Sequence, residues 1–179
     1  MTDRYDHVTL SYDTASGARL WATRHDRPGG SSEQAHDLAV SPDGDTVIVA
    51  GRSEVGSEGW NYDTVAYEAS TGARMWRSVY RGPGGDFDGA NAITTSPDGS
   101  AVFVTGVSLG LTGGYDFATV AYALTTGSER WVRRYDGPGH DADGANAVAA
   151  SPDGSMVFVT GSSRTAGNYD FATVAYAQS

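Results

Sequence analysis

The sequence predicts an all-β protein, and three observations support this fold class. A repeat of about 55 residues runs through the chain, turn-forming tetrapeptides interrupt it, and the runs between the turns are rich in β-branched and aromatic residues. No segment shows the 3.6-residue apolar period of an amphipathic helix. We therefore expect a single domain over residues 1–179, made of about three repeats and one additional strand.

Two markers define the repeat. The tetrapeptide Ser-Pro-Asp-Gly begins at Ser41, Ser96 and Ser151. A tryptophan recurs at the same interval, as Trp21, Trp76 and Trp131. Because both markers keep their spacing, each repeat is one structural unit, and positions one repeat apart are expected to be equivalent.

Each repeat divides into four short runs of strand character. A run rich in small residues leads into Ser-Pro-Asp-Gly, which has Pro and Gly where a type I β-turn accepts them. A second run follows and meets a glycine, at which we expect the strand to end: Gly51, Gly106 or Gly161. A third run alternates aromatic and small residues. A Thr-Gly or Ser-Gly turn then leads into a fourth run that contains the tryptophan.

Four strands per repeat, with packing residues on both faces, favour radially packed four-stranded blades, that is, a β-propeller. The alternative is a linear β-solenoid or a stack of sandwich-like units. A solenoid turn is usually shorter than this repeat and needs fewer hairpin turns than the repeat contains.

The segment from Ala66 to Trp76, Ala-Tyr-Glu-Ala-Ser-Thr-Gly-Ala-Arg-Met-Trp, resembles the tryptophan-docking motif of quinoprotein-like β-propellers. Further copies lie at 12–21 and 121–131. The pattern covers essentially the whole chain and is also similar to repeats of secreted bacterial, often actinobacterial, propeller proteins. The resemblance implies a propeller fold and an exported protein. No export signal follows Met1, however, so the sequence leaves the localisation open between cytoplasm and export.

A structural role is expected for the three tryptophans Trp21, Trp76 and Trp131. A large flat ring placed once per blade can stack on the neighbouring blade and bury roughly 200 Å². Quinone-dependent dehydrogenases of this fold would further imply a bound calcium, an Asp base and usually a vicinal cysteine pair. The chain has no cysteine, and no position matches these catalytic parts. We therefore predict no cofactor and no catalytic residue.

The strand count predicts an incomplete ring. An isolated third strand at about Tyr5 to Asp13 precedes three sets of fourth, first, second and third strands, which makes thirteen strands. Propellers have four to eight blades, and an open arc would expose broad apolar faces. We expect a homodimer that closes a six-bladed ring, since two-fold symmetry is the commonest among oligomers. One third strand is then surplus at each junction. The rival interpretation is a piece of a longer propeller.

Two loops before first strands carry acidic and amide side chains in the pattern Asp-x-Asp-Gly-x-Asn. Their candidate ligand-binding residues are Asp86, Asp88, Asn91, Asp141, Asp143 and Asn146. Oxygen ligands at alternating positions are typical of a calcium loop, and an acidic ring at the channel would suit a polar or cationic ligand. The alternative is that these side chains accept hydrogen bonds from turn amides and connect neighbouring loops.

Three further groups of residues are candidates for sites. The acids at the start of the third strand are expected to pair with an Arg of the adjoining strand or with a backbone amide: Asp6, Asp116 and Asp170, with Asn61 in the fourth place. The histidines share no metal-ligand spacing and are expected to be surface or hydrogen-bonded residues: His7, His25, His36 and His140. Exposed aromatic rings would suit a carbohydrate: Trp60, Tyr115 and Tyr169.

Composition excludes two classes of partner. The 12 basic residues are all arginines, and 22 acidic residues leave a net charge of −10. Nucleic acids and anionic membrane surfaces need clustered positive charge, so neither is an expected partner. The sequence thus favours a non-enzymatic binding scaffold that self-associates, with an unknown protein or small-molecule ligand. The alternatives are a fragment of a quinone-dependent dehydrogenase and a carbohydrate-binding propeller.

Overall fold

The computed structural model describes residues 5–25, 31–56 and 59–177. It contains thirteen β-strands in these ranges, which confirms the predicted fold class and strand count. The strands are β1 (His7–Tyr12), β2 (Arg19–His25), β3 (Glu33–Val40), β4 (Thr46–Glu54), β5 (Trp60–Glu68), β6 (Arg74–Tyr80), β7 (Asp88–Thr95), β8 (Ala101–Leu109), β9 (Tyr115–Ala123), β10 (Glu129–Tyr135), β11 (Gly144–Ala150), β12 (Met156–Thr165) and β13 (Asn168–Ala177).

The strands form four antiparallel sheets in which chain neighbours pair. The half-blade contains β1 and β2. The second blade contains β3 to β6, and the third blade contains β7 to β10. The last blade contains β11 to β13 and has no fourth strand among the described residues. Two complete four-stranded blades therefore lie between two incomplete ones.

Ser-Pro-Asp-Gly forms the turn between the first and second strands of each blade. In the second blade the Gly44 amide donates to the Ser41 carbonyl (2.8 Å), and the Ser41 hydroxyl donates to the Asp43 carboxylate. The same hydroxyl accepts a hydrogen bond from the Thr46 amide (2.9 Å). Both bonds of the serine hydroxyl recur at Ser96 and Ser151. The tetrapeptide thus supplies its own hydrogen-bond partners and fixes the register of the hairpin.

The prediction that the second strand ends at a glycine is wrong. Strand β4 continues through Gly51 to Glu54, and β8 and β12 continue in the same way through Gly106 and Gly161. The glycine lies opposite a β-bulge in the first strand, where a Cβ on Gly51 would come within 1.9 Å of the Gln34 carbonyl oxygen. These glycines are therefore needed for close backbone approach and do not terminate the strand.

The apolar core lies between blades. One cluster joins the second and third blades and includes Ile48, Tyr62, Trp76, Val104 and Val120. Another joins the third and last blades. Each strand contributes alternate residues to the blade before it and the blade after it, since successive side chains point to opposite faces of a sheet. Every complete blade therefore needs a neighbour on both sides.

Candidate functional site

The tryptophans dock each blade on the next. The indole N–H of Trp21 in β2 donates to the Ala69 carbonyl of the second blade (2.8 Å). Trp76 in β6 makes the equivalent bond to Leu124 of the third blade (2.7 Å). The carbonyl that Trp131 would meet by the same rule belongs to residue 178, outside the described part of the chain. Within that part the Trp131 ring stacks near Phe103 (5.8 Å).

A glycine beneath each ring makes this docking possible. Gly72 and Gly127 have φ values of +72° and +69°, and a Cβ on either would lie 2.6 and 2.5 Å from the ring of Trp21 and Trp76, respectively. The position thus requires glycine for two reasons: its φ is positive, and a Cβ would clash with the indole ring. Gly17, the equivalent glycine of the half-blade, also has a φ of +69° but has nothing within 4 Å of that point.

The bulge residue of the first strand makes a second connection to the next blade in the second and third blades. The His36 ring nitrogen lies 2.6 Å from the Ala90 carbonyl oxygen of the next blade, and the Asn91 side-chain amide donates to the Ala145 carbonyl (2.8 Å). A bulge turns its side chain out of the regular alternation. Asn146 is the equivalent residue of the last blade, and it is exposed.

The last blade presents an open apolar face, here called the C-flank, which includes Phe158 and Phe171. Phe171 is 86% exposed, whereas the residues at the same repeat position, Tyr62 and Phe117, are 0% exposed. Phe158 is likewise exposed, although Phe103 at its repeat position is fully buried. Equivalent positions are therefore buried or exposed according to whether another blade follows.

The half-blade presents the opposite open face, the N-flank, which includes Val8, Leu10 and Tyr12 of β1. All three are exposed, while Val65 and Val120, at the repeat position of Leu10, are fully buried. A cleft of about 430 Å³ lies beside Val8 and Leu10 and is also lined by residues of β3. It occupies the place where the first two strands of a complete blade would lie.

Two of the four acids predicted as ligand-binding residues accept hydrogen bonds from backbone amides of the protein itself. Asp88 and Asp143 are buried, and their carboxylates accept hydrogen bonds from the backbone amides of Gly82 (2.7 Å) and Gly137 (2.5 Å). Asp143 also accepts a bond from the Arg164 amide (3.1 Å). The neighbouring Asp86 is exposed at the loop surface, and Asp141 is half-buried.

The six candidate residues lie in two segments of the chain, which lead into the first strands of the third and last blades. Asp86, Asp141 and Asp143 precede these strands, and Asp88, Asn91 and Asn146 lie within them. Among the described residues, no group of three or more His, Asp or Glu side chains could hold a metal ion. Nor does any described helix have the length and apolarity to cross a membrane.

Two of the three acids at the start of the third strand pair with an arginine of the neighbouring strand. Asp116 accepts a hydrogen bond from the Arg134 guanidinium (2.7 Å), which also donates to the Tyr80 hydroxyl of the preceding blade (3.0 Å). Burial raises the pKa of Asp116, and the hydrogen bonds from Arg134 oppose that rise. Asp6 pairs with Arg24 in the same manner. Asp170 is exposed, because the last blade has no fourth strand beside it among the described residues.

A buried cluster of ionisable side chains lies between the half-blade and the second blade. His7 and His25 stack with ring centroids 4.6 Å apart. His25 lies 3.3 Å from the Asp63 carboxylate, to which Arg77 donates two hydrogen bonds (2.8 Å each). The His7 ring also lies 3.3 Å from the Tyr67 hydroxyl.

Burial and hydrogen bonding shift the pKa values of His7 and Asp63 in this cluster. Loss of hydration lowers the pKa of His7 to about 4, and the neighbouring His25 contributes to the lowering. Burial would raise the pKa of Asp63, but hydrogen bonds from His25 and Arg77 outweigh this and hold it at about 2. The cluster therefore contains a neutral His7 beside an ion pair at neutral pH.

Sequence analysis missed this cluster, although the repeat contained a signal for it. His7 occupies the position of Tyr62 and Phe117, and His25 that of Tyr80 and Tyr135. Those residues form aromatic pairs, with centroids 5.3 Å apart in both blades. The histidine pair is thus the half-blade's version of an aromatic pair.

The other two histidines lie outside this cluster. His36 contacts a backbone carbonyl as described above, and His140 pairs with Asp136 at the surface (2.7 Å). Their surroundings agree with the expectation of surface or hydrogen-bonded residues.

The candidate rings for carbohydrate binding differ in exposure. The Trp60 ring is half-buried with the Arg52 guanidinium 4.6 Å above it. Tyr115 is half-buried and meets Phe87 edge to face at 5.9 Å. Tyr169 is exposed beside Arg164. Trp60 and Tyr115 therefore already use part of their rings for contacts within the protein.

Comparison with known proteins identifies the fold. No family model and no curated protein matches the sequence. Solved structures do match: the Dos1 propeller (TM-score 0.54, 14% identity, 86% of this chain and 36% of that one) and hydrazine synthase of Kuenenia stuttgartiensis (0.60, 16%, 86% and 44%). A third is the quinohemoprotein alcohol dehydrogenase ADHIIG of Pseudomonas putida HK5 (0.56, 18%, 95% and 31%).

These matches define the class of protein. The chain has a β-propeller fold and contains part of a propeller, two complete blades and two incomplete ones. It spans less than half the length of each structure named above. Because the sequence identities are so low, the similarity concerns the fold alone.

Proposed function

We propose that this chain is a non-enzymatic propeller scaffold whose two copies close a six-bladed ring, which then displays a rigid surface for protein or ligand recognition. One observation carries the proposal: Phe171 is 86% exposed although its repeat equivalents Tyr62 and Phe117 are fully buried. Because this position buries a large aromatic ring in both blades that have a following blade, the exposed ring of Phe171 is suited to pack against a further blade.

The two open faces are complementary in chemistry. The C-flank offers the side of a blade that elsewhere covers a following blade, and the N-flank offers the side that elsewhere covers a preceding one. Asn146 has the position of Asn91, which donates to Ala145 of the next blade. The equivalent acceptor on a second copy is the Ala35 carbonyl. Polar contacts and apolar contacts therefore favour the same partner, another copy of this chain.

Sedimentation velocity of the full chain over a range of micromolar concentrations tests the closed ring. We expect a compact dimer of twice the 18.7 kDa chain mass, with no higher species. A compact monomer at all these concentrations refutes ring closure by self-association. An open series of trimers and larger species refutes the two-copy ring as well.

An enzyme fragment is the second candidate, because the quinohemoprotein alcohol dehydrogenase is among the structural matches and the chain covers 31% of it. In that case this chain is a piece of a longer propeller, and the missing blades belong to the same polypeptide. Equilibrium dialysis with pyrroloquinoline quinone and calcium tests this function. Saturable uptake by the chain favours it, and no uptake at millimolar calcium argues against it.

Carbohydrate recognition is the weakest of the three functions, and the observation in its favour is the exposed ring of Tyr169. A glycan array with the full chain tests it. Binding that is lost in Tyr169→Ala would support this function, whereas an array without a hit removes it.

A further inference from the structure

The ring closure proposed above leaves one strand too many at each junction, because β13 of one copy and β1 of the other are both third strands. Our inference rests on that closure and concerns which of the two strands occupies the third-strand position of the junction blade. We propose that β13 keeps it and that β2 of the partner copy leaves its own β1 and pairs with the free edge of β13. Each junction blade then contains β11, β12 and β13 of one copy and β2 of the other.

Strand β13 is built to receive an outer strand. Its residues 169–177 read Tyr-Asp-Phe-Ala-Thr-Val-Ala-Tyr-Ala, which is identical to residues 115–123 of β9. Strand β9 lies between β8 and β10 in a complete blade, whereas β13 pairs with β12 alone among the described strands. Strand β13 therefore offers a strand of a second copy the same side chains and the same backbone edge that β9 offers to β10.

The competing strand β1 is held less extensively. Its six residues pair only with β2 within the described chain, and its other edge has no strand beside it. The ten residues of β13 pair along their full length with β12, through a tight turn at Ala166 and Gly167. Displacing β13 would break the longer ladder. Displacing β1 breaks only the shorter β1–β2 ladder, which a new ladder between β2 and the partner's β13 replaces.

The ion pair of the third and fourth strands supports the exchange. In the third blade Asp116 of β9 binds Arg134 of β10. Arg24 of β2 has the repeat position of Arg134, and the exposed Asp170 has that of Asp116. The partner's Arg24 can therefore exchange Asp6 for Asp170, so that the number of ion pairs is unchanged.

The aromatic pairs support it as well. Phe117 contacts Tyr135 at 5.3 Å in the third blade, and His25 has the position of Tyr135. After exchange Phe171 would stack on the partner's His25, in place of the neutral His7 that stacks there now. Phe171 would be covered by the partner's second blade, and the Asp63–Arg77 ion pair beside His25 would stay intact.

This arrangement explains why the β1–β2 turn contains a glycine at position 17. Gly17 precedes β2 as Gly127 precedes β10, and Gly72 and Gly127 lie under the rings of Trp21 and Trp76. In the exchanged blade the partner's Gly17 would lie under Trp131. The space around Gly17 in one chain is open where its equivalents contact an indole ring.

Engineered cysteines can distinguish the strand places, since the chain has none of its own. Val120 pairs with Val132 in the third blade and Leu10 pairs with Ala22 in the half-blade, so exchange places Val174 opposite the partner's Ala22. Directly opposed residues have Cα atoms about 4.5–5.5 Å apart, within disulfide range. The two matched variants are Ala22→Cys/Val174→Cys and Ala22→Cys/Leu10→Cys.

Exchange predicts opposite behaviour for the two variants. Ala22→Cys/Val174→Cys should oxidise to a covalent dimer on a non-reducing gel. Ala22→Cys/Leu10→Cys should be monomeric when oxidised, because the disulfide holds β1 on β2, and dimeric after reduction. An oxidised Leu10 variant that still dimerises, or a dimeric Val174 variant that does not crosslink, overturns the exchange while ring closure stands. If the wild-type chain is a monomer, the proposed function itself has failed.

Discussion

Replacing Phe171 by alanine is expected to open the ring without unfolding the chain. Burying a phenylalanine removes about 150–250 Å² from water, and Phe171 is 86% exposed in one copy. At about 25 cal/mol per Å² the ring contributes roughly 4 kcal/mol at each junction. Alanine keeps its Cβ, so the variant should lose about 3 kcal/mol per junction.

Because a two-copy ring has two identical junctions, the loss in dimer free energy is about 6 kcal/mol. At about 1.4 kcal/mol per factor of ten, the dimer dissociation constant should rise roughly 10⁴-fold. Sedimentation velocity from nanomolar to about 100 micromolar chain measures this rise. Circular dichroism on the same samples checks that the β-structure of the chain is retained.

The matched control is Leu111→Ala. Leu111 is 83% exposed, comparable with Phe171, but lies in the β8–β9 loop of a complete blade. The control should leave the dissociation constant within about threefold of the wild type, a change of about 0.7 kcal/mol at most. Equal effects of the two variants, or an unchanged dimer in Phe171→Ala, would refute the argument from repeat-equivalent burial.

Three further predictions concern the single chain and use the monomeric Phe171→Ala variant as background. Trp76→Ala should lower the free energy of unfolding in urea by about 4 kcal/mol, through lost burial and the lost bond to Leu124; a loss under about 1 kcal/mol would contradict blade docking. Gly127→Ala should cost about 2 kcal/mol more than Gly17→Ala, since both have the same φ and only Gly127 lies under a ring; equal costs by urea unfolding would show that the ring contact is unimportant. Finally, the folded pKa of His7 is about 4 and lies below its unfolded value of about 6.5. The unfolded chain therefore binds the proton first, and stability should be full above about pH 6.5 and fall by roughly 3 kcal/mol towards pH 4. His7→Phe should remove that part of the pH dependence, and urea titrations with parallel pH profiles for the two proteins would contradict it.

Sequence patterns were sufficient for the architecture because every strand of the blade occurs at least three times in the sequence. Turn chemistry at Ser41 to Gly44 and the tryptophan spacing defined the hairpins, and the thirteen strands follow from them. The strand end predicted at Gly51 is wrong because a glycine opposite a bulge and a glycine that ends a strand look alike in one sequence. Only the paired strand reveals the carbonyl that the glycine accommodates.

The candidate sites were less readable. Asp88 and Asp143 have the spacing of ion ligands, but whether a carboxylate faces a cavity or a backbone amide depends on how the loop folds back. Neither His7 nor His25 alone indicates a site, because their contact depends on the register of β1 on β2. The place of a terminal strand is not encoded locally at all, since β9 and β13 share one sequence and differ in their neighbours.

The separation of the N-flank from the C-flank has a consequence for polymer growth. Each copy has one N-flank and one C-flank, so a contact between an N-flank and a C-flank does not by itself limit the assembly to two copies. Only the angle subtended by the blades decides whether the second copy returns to the first or a third copy is added. If two copies close the ring as proposed, a substitution that alters the tilt between neighbouring blades would convert the closed dimer into a spiral fibre held by the same contacts.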